Sequence, residues 1–470
     1  MKNSKKAIYR RLVLPVFLAL MTTNGCKKFV EIPAPINQLT AESTFSSDAT
    51  ASSAIVGIYS RMSQGGMVQS ITPSAGMYAD ELLNYGTASD FSQSLITRSS
   101  SGTLNSNFWN LGYQYIYFCN SAMEQLPESN GVSPALKNSL SGEAKFLRAY
   151  LYLQLASLFG DVPLVTSTDF AQNASLPRSP KPLILDQVNA DLKEAVALLP
   201  EVVESEKIRA NRYAAMALSA RAALYGGDWA NAERLSDAVI ESKKYLLATD
   251  LSKVFLKNST EAILQLYPTQ SGQNTPDGLT FLPASANEQP KYTLTATLLD
   301  AFEPGDLRKS AWTATRTYLG QQVSYPAKYK VLNTATLSEY LMVLRLSEQY
   351  LIRAEARIQL GETAKGIADL NLIRKRARPE ATTALPNPLP DLNPAMGKAD
   401  ALLAVETERR RELFCENGHR WFDLQRTGRA PAVLAALKPA TWIPSGILWP
   451  IPAEQLLLNP FLIQNPGYNL

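Results

Sequence analysis

From Gly142 to Phe159, apolar residues return every three or four positions, with Ala144, Leu147, Leu151, Leu155 and Leu158 on one stripe. That spacing predicts an amphipathic helix, stopped by Gly160-Asp161-Val162-Pro163. Leu183 to Leu199, closed by Pro200, predicts its antiparallel partner. The same period predicts helices from near Ala49 to about Met62 and over Asn107–Leu126, the latter ended by Pro127.

Two later segments repeat one pattern. Ala220-x-Ala222, Gly227-Asp228 and Ala230 correspond to Ala354-x-Ala356, Gly361-Glu362 and Ala364. Small residues at these spacings let two helices approach closely, and the Gly-acid pair makes the turn between them. This is the logic of tetratricopeptide repeats. With the pairs at 142–199 and 399–427, it predicts four helix hairpins stacked as a scaffold. The expected fold class is therefore mostly α, a tetratricopeptide-like hairpin scaffold with long irregular loops and a few short strands.

Other stretches lack a helix period. Pro, Gly, Ser, Asn and Gln dominate from Tyr267 to Tyr292, and short alternating runs through Lys330 predict small strands and loops. Residues 63–106 are rich in Ser, Gly and Thr, and 385–397 is proline-rich. Long insertions on a helical scaffold are commonly functional or disordered, and the aromatics within 63–106 and 267–330 favour function. The expected organisation is one domain over 51–470 with insertions near 63–106 and 267–330, behind a tether over 26–50.

The N-terminus changes the setting. Lys2, Lys5, Lys6, Arg10 and Arg11 precede an apolar run, Leu12 to Met21, too short to span a bilayer. Thr23-Asn24-Gly25-Cys26 then resembles the lipobox of bacterial lipoproteins, which implies a signal peptide over 1–25 and lipid on Cys26. The five basic residues of that signal come from a total of 46, against 42 acidic residues, so the rest of the chain is close to neutral. A nucleic-acid binder keeps a basic face; none is expected here. No later apolar run has spanning length, so membrane attachment is expected through lipid alone.

Cysteine and histidine counts exclude further chemistry. Beyond Cys26 only Cys119 and Cys415 remain, in apolar surroundings that predict buried inert thiols, with their pairing left open. His419 is the one histidine, which excludes His-x-x-x-His metal sites; a packing role is expected for it. No metal and no cofactor are assigned. Arg409, Arg410 and Arg411 are interleaved with Glu406, Glu408, Glu412 and Glu416, which predicts ion pairing rather than a phosphate site. Arg353 and Glu355 invite the same reading.

Four segments together resemble the SusD/RagB family, the surface lipoproteins of Bacteroidetes nutrient-uptake systems. The first runs Gly142-Glu143-Ala144-Lys145-Phe146-Leu147-Arg148-Ala149-Tyr150 and on to Leu158-Phe159-Gly160-Asp161-Val162-Pro163. Next come Tyr350-Leu351-Ile352-Arg353-Ala354-Glu355-Ala356 and then Leu370-Asn371-Leu372-Ile373-Arg374. The third is Glu408-Arg409-Arg410-Arg411-Glu412-Leu413-Phe414 with Gly418-His419-Arg420-Trp421-Phe422-Asp423-Leu424. Leu448-Trp449-Pro450-Ile451-Pro452 and Gln464-Asn465-Pro466-Gly467-Tyr468 form the fourth. The resemblance implies a helical scaffold docked as a lid on a SusC-like TonB-dependent outer-membrane transporter. It also implies an outer-membrane location facing the cell exterior, capture of oligosaccharides (or peptides in some members), and no catalysis.

A glycan site needs flat apolar faces for C–H surfaces and amide, carboxylate or guanidinium groups for hydroxyls. Aromatics beside such groups, off the apolar stripes, are the candidates. Asp80 and Tyr85 in Met77–Tyr85 qualify, and the resemblance places an Asp-Glu pair at this point near the ligand. Trp109 and Asn110 also qualify, with a core role for Trp109 equally open. Tyr292, Trp312 and Tyr318 flank the variable middle region. Trp229, Trp421 and Trp449 fall in scaffold motifs and are assigned to the core. Three alternatives remain at this point: a peptide-binding relative, a surface glycoside hydrolase using paired carboxylates, and a structural adaptor.

Overall fold

The computed structural model describes residues 41–85, 88–285, 287–334 and 336–468; the signal segment, Cys26 and most of the tether lie outside them. The chain divides into Met1–Thr44, of which the helical turn Ala41–Thr44 is described, and Phe45–Leu470. The second unit carries the main helices α1 (Asp48–Gln64), α2 (Met67–Tyr78), α3 (Leu111–Glu128), α4 (Pro134–Phe159), α5 (Lys181–Leu198) and α6 (Arg212–Gly226). They continue with α7 (Trp229–Glu241), α8 (Leu346–Gln359), α9 (Thr363–Arg376), α10 (Lys398–Leu413), α11 (His419–Arg426) and α12 (Ala430–Leu437).

Successive helices pack on one another in chain order, from α3 on α4 through to α8 on α9, and α10 returns to α8. The predicted hairpins are thus present as helix pairs. In the α6–α7 turn, Gly227 adopts φ +74°, a left-handed conformation costly for other residues, and the Asp228 side chain accepts from the Asn231 N–H to cap α7. The close approach read from small residues is real: a Cβ on Gly366 of α9 would lie 2.6 Å from the Ala354 carbonyl oxygen of α8. Between α3, α4 and α5, buried Arg148 donates to Asp191 (2.6 and 2.8 Å) and to Asn120 (2.8 Å).

Some boundaries differ from the sequence reading. α4 begins at Pro134, because proline suits a first turn whose N–H groups have no intrahelical partner. Pro127 lies inside the last turn of α3 instead of ending it. Residues 67–78, placed by composition in an irregular insertion, form α2, whose last four residues and most of the rest are buried. A helix covered on all sides shows no polar face, so its sequence carries no amphipathic period.

Among the described residues, strands occur as three antiparallel pairs: β1 (Leu82–Asn84) with β3 (Tyr292–Leu294), β2 (Ala262–Leu266) with β6 (Leu341–Arg345), and β4 (Thr313–Tyr318) with β5 (Gln321–Pro326). The β4–β5 turn is Leu319-Gly320, with φ +47° and +76°, the positive-φ combination that suits a tight hairpin.

A lattice of buried ions lies under α10. Fully buried Glu412 faces Arg308 (3.0 Å), Arg345 (2.6 Å) and Arg376 (2.5 Å). Glu408 faces Arg308 (2.6 Å) and Arg374 (3.3 Å), and Glu416 takes Arg345 (2.8 Å) and Lys328 (2.5 Å). Burial opposes the charge on Glu412, but the three guanidiniums outweigh it and hold the carboxyl well below its usual range. The interleaved arginines are ion-paired too, chiefly with acids from other segments: Arg409 with Asp423 (2.7 Å), Arg410 with Asp80 (2.8 Å) and Arg411 with Glu303 (2.5 Å). Cys119 and Cys415 are separate, buried, free thiols; burial pushes Cys119 up to about 12. His419 is the buried first residue of α11.

Two predictions follow from these buried charges. Glu412→Gln leaves three guanidiniums short of their counter-charge and lowers unfolding free energy by about 3–5 kcal/mol. Denaturant titration measures this, and a loss under about 1 kcal/mol would contradict the lattice's role. The second concerns pH. Burial pushes Glu81 up to about 7 and Asp277 up to about 8. Their contributions are full below their ordinary values of 4.5 and 3.8 and are lost as pH rises through 7 and 8. Glu303, held down at about 2 chiefly by hydrogen bonding to Arg374, contributes fully above 4.5 and loses that contribution as pH falls toward 2. On these three groups Tm should therefore peak near pH ~4, and Glu81→Gln with Asp277→Asn should flatten its decline at higher pH. An equally steep decline in the double variant would refute the assignment.

Candidate functional site

Two of the short strand pairs gather the predicted tyrosines. Pairing of β1 with β3 sets Asn84 opposite Tyr292, and the Tyr85 N–H donates to the Lys291 carbonyl (3.0 Å). Pairing of β4 with β5 sets Tyr318 opposite Gln321 at the hairpin tip. The Tyr85 and Tyr318 rings then meet nearly at right angles, 5.8 Å apart, both half-buried. Tyr292 itself is buried against Phe281 (5.8 Å), with Lys291 Nζ 5.3 Å from the centre of its ring. Arg316 of β4 donates to the carbonyls of Ser285 (2.9 Å) and Glu288 (2.5 Å), tying the hairpin to the preceding irregular segment. Exposed Thr315, Thr317, Gln321 and Gln322 supply hydroxyl and amide groups on the same ribbon. The arrangement offers aromatic surface with polar groups alongside, the chemistry that a sugar ring requires.

A concave feature elsewhere was not singled out from the sequence. A cleft of about 260 Å³ is lined by Ser63, Gln64, Gln69, Gln270, Gln273, Asn274 and Thr275 among others. Buried Asn274 accepts through Oδ1 from the N–H groups of Ser338 (2.8 Å) and Glu339 (3.0 Å), and its Nδ2 has no partner among the described residues. The amide-rich run Gln270-Ser271-Gly272-Gln273-Asn274 was the available signal; what it lacked was the α1–α2 junction that forms the facing wall.

Four other predicted residues are placed differently. Asp80 is 3% exposed and paired with Arg420 (2.8 and 3.0 Å) and Arg410 (2.8 Å). Burial alone would raise its pKa, but Arg420, Arg410 and Lys438 hold it below the usual carboxylate range. It is therefore a counter-ion within the fold and presents no free carboxylate to a ligand. Trp312 is fully buried, its Nε1–H donating to the Leu251 carbonyl (3.1 Å) and its ring lying 4.8 Å below Lys328 Nζ. Its polar neighbours in sequence suggested exposure, but the groups around it in space are Phe255, Phe414 and the buried cations. Trp109 resolves to the core, packed on Tyr113 (5.2 Å) and Phe159 (5.3 Å). Asn110 is exposed and accepts from Gln455 Nε2 (3.0 Å) on the C-terminal segment. Trp421 and Trp449 are fully buried as assigned, whereas Trp229 is half-buried. Among the described residues no group of three or more His, Cys, Asp or Glu is placed to hold a metal ion, and no helix is long and apolar enough to cross a membrane.

Comparison with known proteins accounts for this architecture. Residues 28–224 match a family described as "Starch-binding associating with outer membrane", and residues 304–440 match the SusD family. SusD-like protein P38 of Formosa agariphila is 24% identical over 96% of this chain and 98% of its own, and SusD-like protein P25 of the same organism is 23% identical over 98% and 99%. A SusD homolog from Bacteroides thetaiotaomicron superposes with a TM-score of 0.76 at 19% identity, covering 91% of this chain and 98% of its own. A laminarin-binding SusD-like protein gives 0.74 at 22%, covering 90% and 100%. Sequence matches at both ends of the chain, relatives aligned along nearly its whole length and a shared helical fold have one common explanation: the chain belongs to the SusD/RagB family.

Proposed function

We propose that this protein captures oligosaccharides at the cell surface through the Tyr85–Tyr318 patch and hands them to a TonB-dependent outer-membrane transporter as its lid, without making or breaking bonds. A lipid on Cys26, outside the described residues, would hold it to the outer membrane facing the exterior. The observation that carries the reading is the meeting of Tyr85 and Tyr318, from segments far apart in the chain, beside the exposed Thr315, Thr317, Gln321 and Gln322. Family membership supports carbohydrate as the ligand class, and the laminarin-binding protein of similar fold supports a β-glucan as the first probe. The amide-lined cleft suits hydroxyl groups.

Calorimetric titration with laminarin and maltoheptaose tests the proposal. Each of Tyr85→Ala and Tyr318→Ala should weaken binding by about 2- to 12-fold, the equivalent of ~0.5–1.5 kcal/mol for an aromatic contact, with Tm little changed. Trp312→Ala should instead lower Tm through the lost core ring. Glycan binding indifferent to both tyrosine variants would displace the site, and binding confined to peptides would replace the cargo. For the anchor, Cys26→Ser should move the protein from the membrane fraction to the soluble one.

A further inference from the structure

Arg409 of α10 is 1% exposed, and its Nε–H donates to Asp423 Oδ2 at 2.7 Å. Its Nη1 and Nη2, both buried, have no hydrogen-bond partner among the described residues. Other buried arginines are served at these atoms: Arg345 by Glu412 and Glu416, Arg426 by Glu355 (2.6 and 2.7 Å), and Arg148 by Asn120 and Asp191. Among the described residues, Arg409 alone has both terminal nitrogens buried and unpartnered. A buried charged donor left unmet carries a large desolvation cost.

Arg409 also lines a cavity of about 710 Å³ formed by the α6–α7 turn, α8, α10 and α11, a volume typical of small-molecule sites. Tyr225, Trp229, Leu402 and Leu403 contribute its apolar surface. The acids in the inner wall are already committed. Glu355 gives both oxygens to Arg426, Asp423 serves Arg409 and Arg426, and Glu406 serves Arg420 (3.0 Å) and Arg429 (3.1 Å). Asp400 at the mouth is exposed, where solvent and salt screen it, and exposed Arg429 supplies a cation nearby. Among the described residues nothing supplies an acceptor for Arg409 Nη1 and Nη2, which leaves that role to a ligand or an ordered water. Two adjacent guanidinium N–H groups match the two oxygens of a carboxylate.

We propose that this cavity binds a small molecule carrying a carboxylate on a ring-sized body, with the carboxylate on Arg409 Nη1 and Nη2 and the body against Trp229, Tyr225 and Leu402. None of the tyrosine-patch residues lines it, so it is a second site, independent of glycan capture.

The test is calorimetric titration of the full mature chain with glucuronate and with benzoate, each beside its neutral counterpart, glucose or benzyl alcohol. At least one carboxylate should bind saturably and about tenfold or more tighter than its counterpart; which one does so distinguishes a sugar acid from an aromatic acid. Arg409→Gln should abolish that binding. Because Arg409→Gln also disturbs Asp423, Leu403→Glu at the exposed wall is the second variant: it leaves the buried pairs intact and should weaken binding about tenfold. Tyr318→Ala should leave it unchanged. Absence of saturation by either acid up to about 10 mM, equal binding of the neutral counterpart, or indifference to Leu403→Glu would overturn the proposal.

Discussion

Glu412 is the constraint around which much of the molecule is arranged. A carboxylate buried that completely is tolerable only if cations meet it, and the cations come from widely separated places: Arg308, Arg345 and Arg376. Arg345 ends β6 and precedes α8, Arg376 closes α9, and Arg308 opens a short helix in the variable middle region. Satisfying one glutamate thus requires that helix pairs, a buried strand pair and an insertion all occupy their final positions together. Lys328 and Glu416 extend the requirement to the segment between α10 and α11.

The same requirement explains what surrounds the lattice. Trp312 and Phe414 lie over Lys328, so aromatic faces take up cationic charge where solvent is excluded. Asp80 plays the corresponding role at the end of α2, drawing in Arg410 and Arg420 from α10 and α11. With α2 secured in this way, β1 and β3 can pair just beyond it and bring Tyr85 to Tyr318. The half-buried aromatic pair is therefore built on short strands with little core of their own, held in place by buried charge.

Much of the scaffold was legible in the sequence because its signals are local. The stripe in α4, the Gly-acid turns after α6 and α8, and the alternating Arg and Glu of α10 each involve residues within a few turns of one another. α2 escaped because a helix buried on every side has no polar face to set a period. Tyr85 and Tyr318 could be chosen individually as aromatics beside polar groups, but their meeting could not. Asp80, Tyr292 and Trp312 satisfied the same criterion, yet all three are interior.

The sequence by itself determined the helical class, the hairpin turns and the family, because period, turn chemistry and motif spacing are properties of neighbouring residues. Only the tertiary structure decided which polar and aromatic side chains are available to a ligand. Exposure depends on partners elsewhere in the chain: Arg420 for Asp80, Leu251 for Trp312, and Asp423 for the Nε of Arg409, with none among the described residues for its other two nitrogens. Desolvation and pairing are settled only when those partners arrive, and no local pattern reports them.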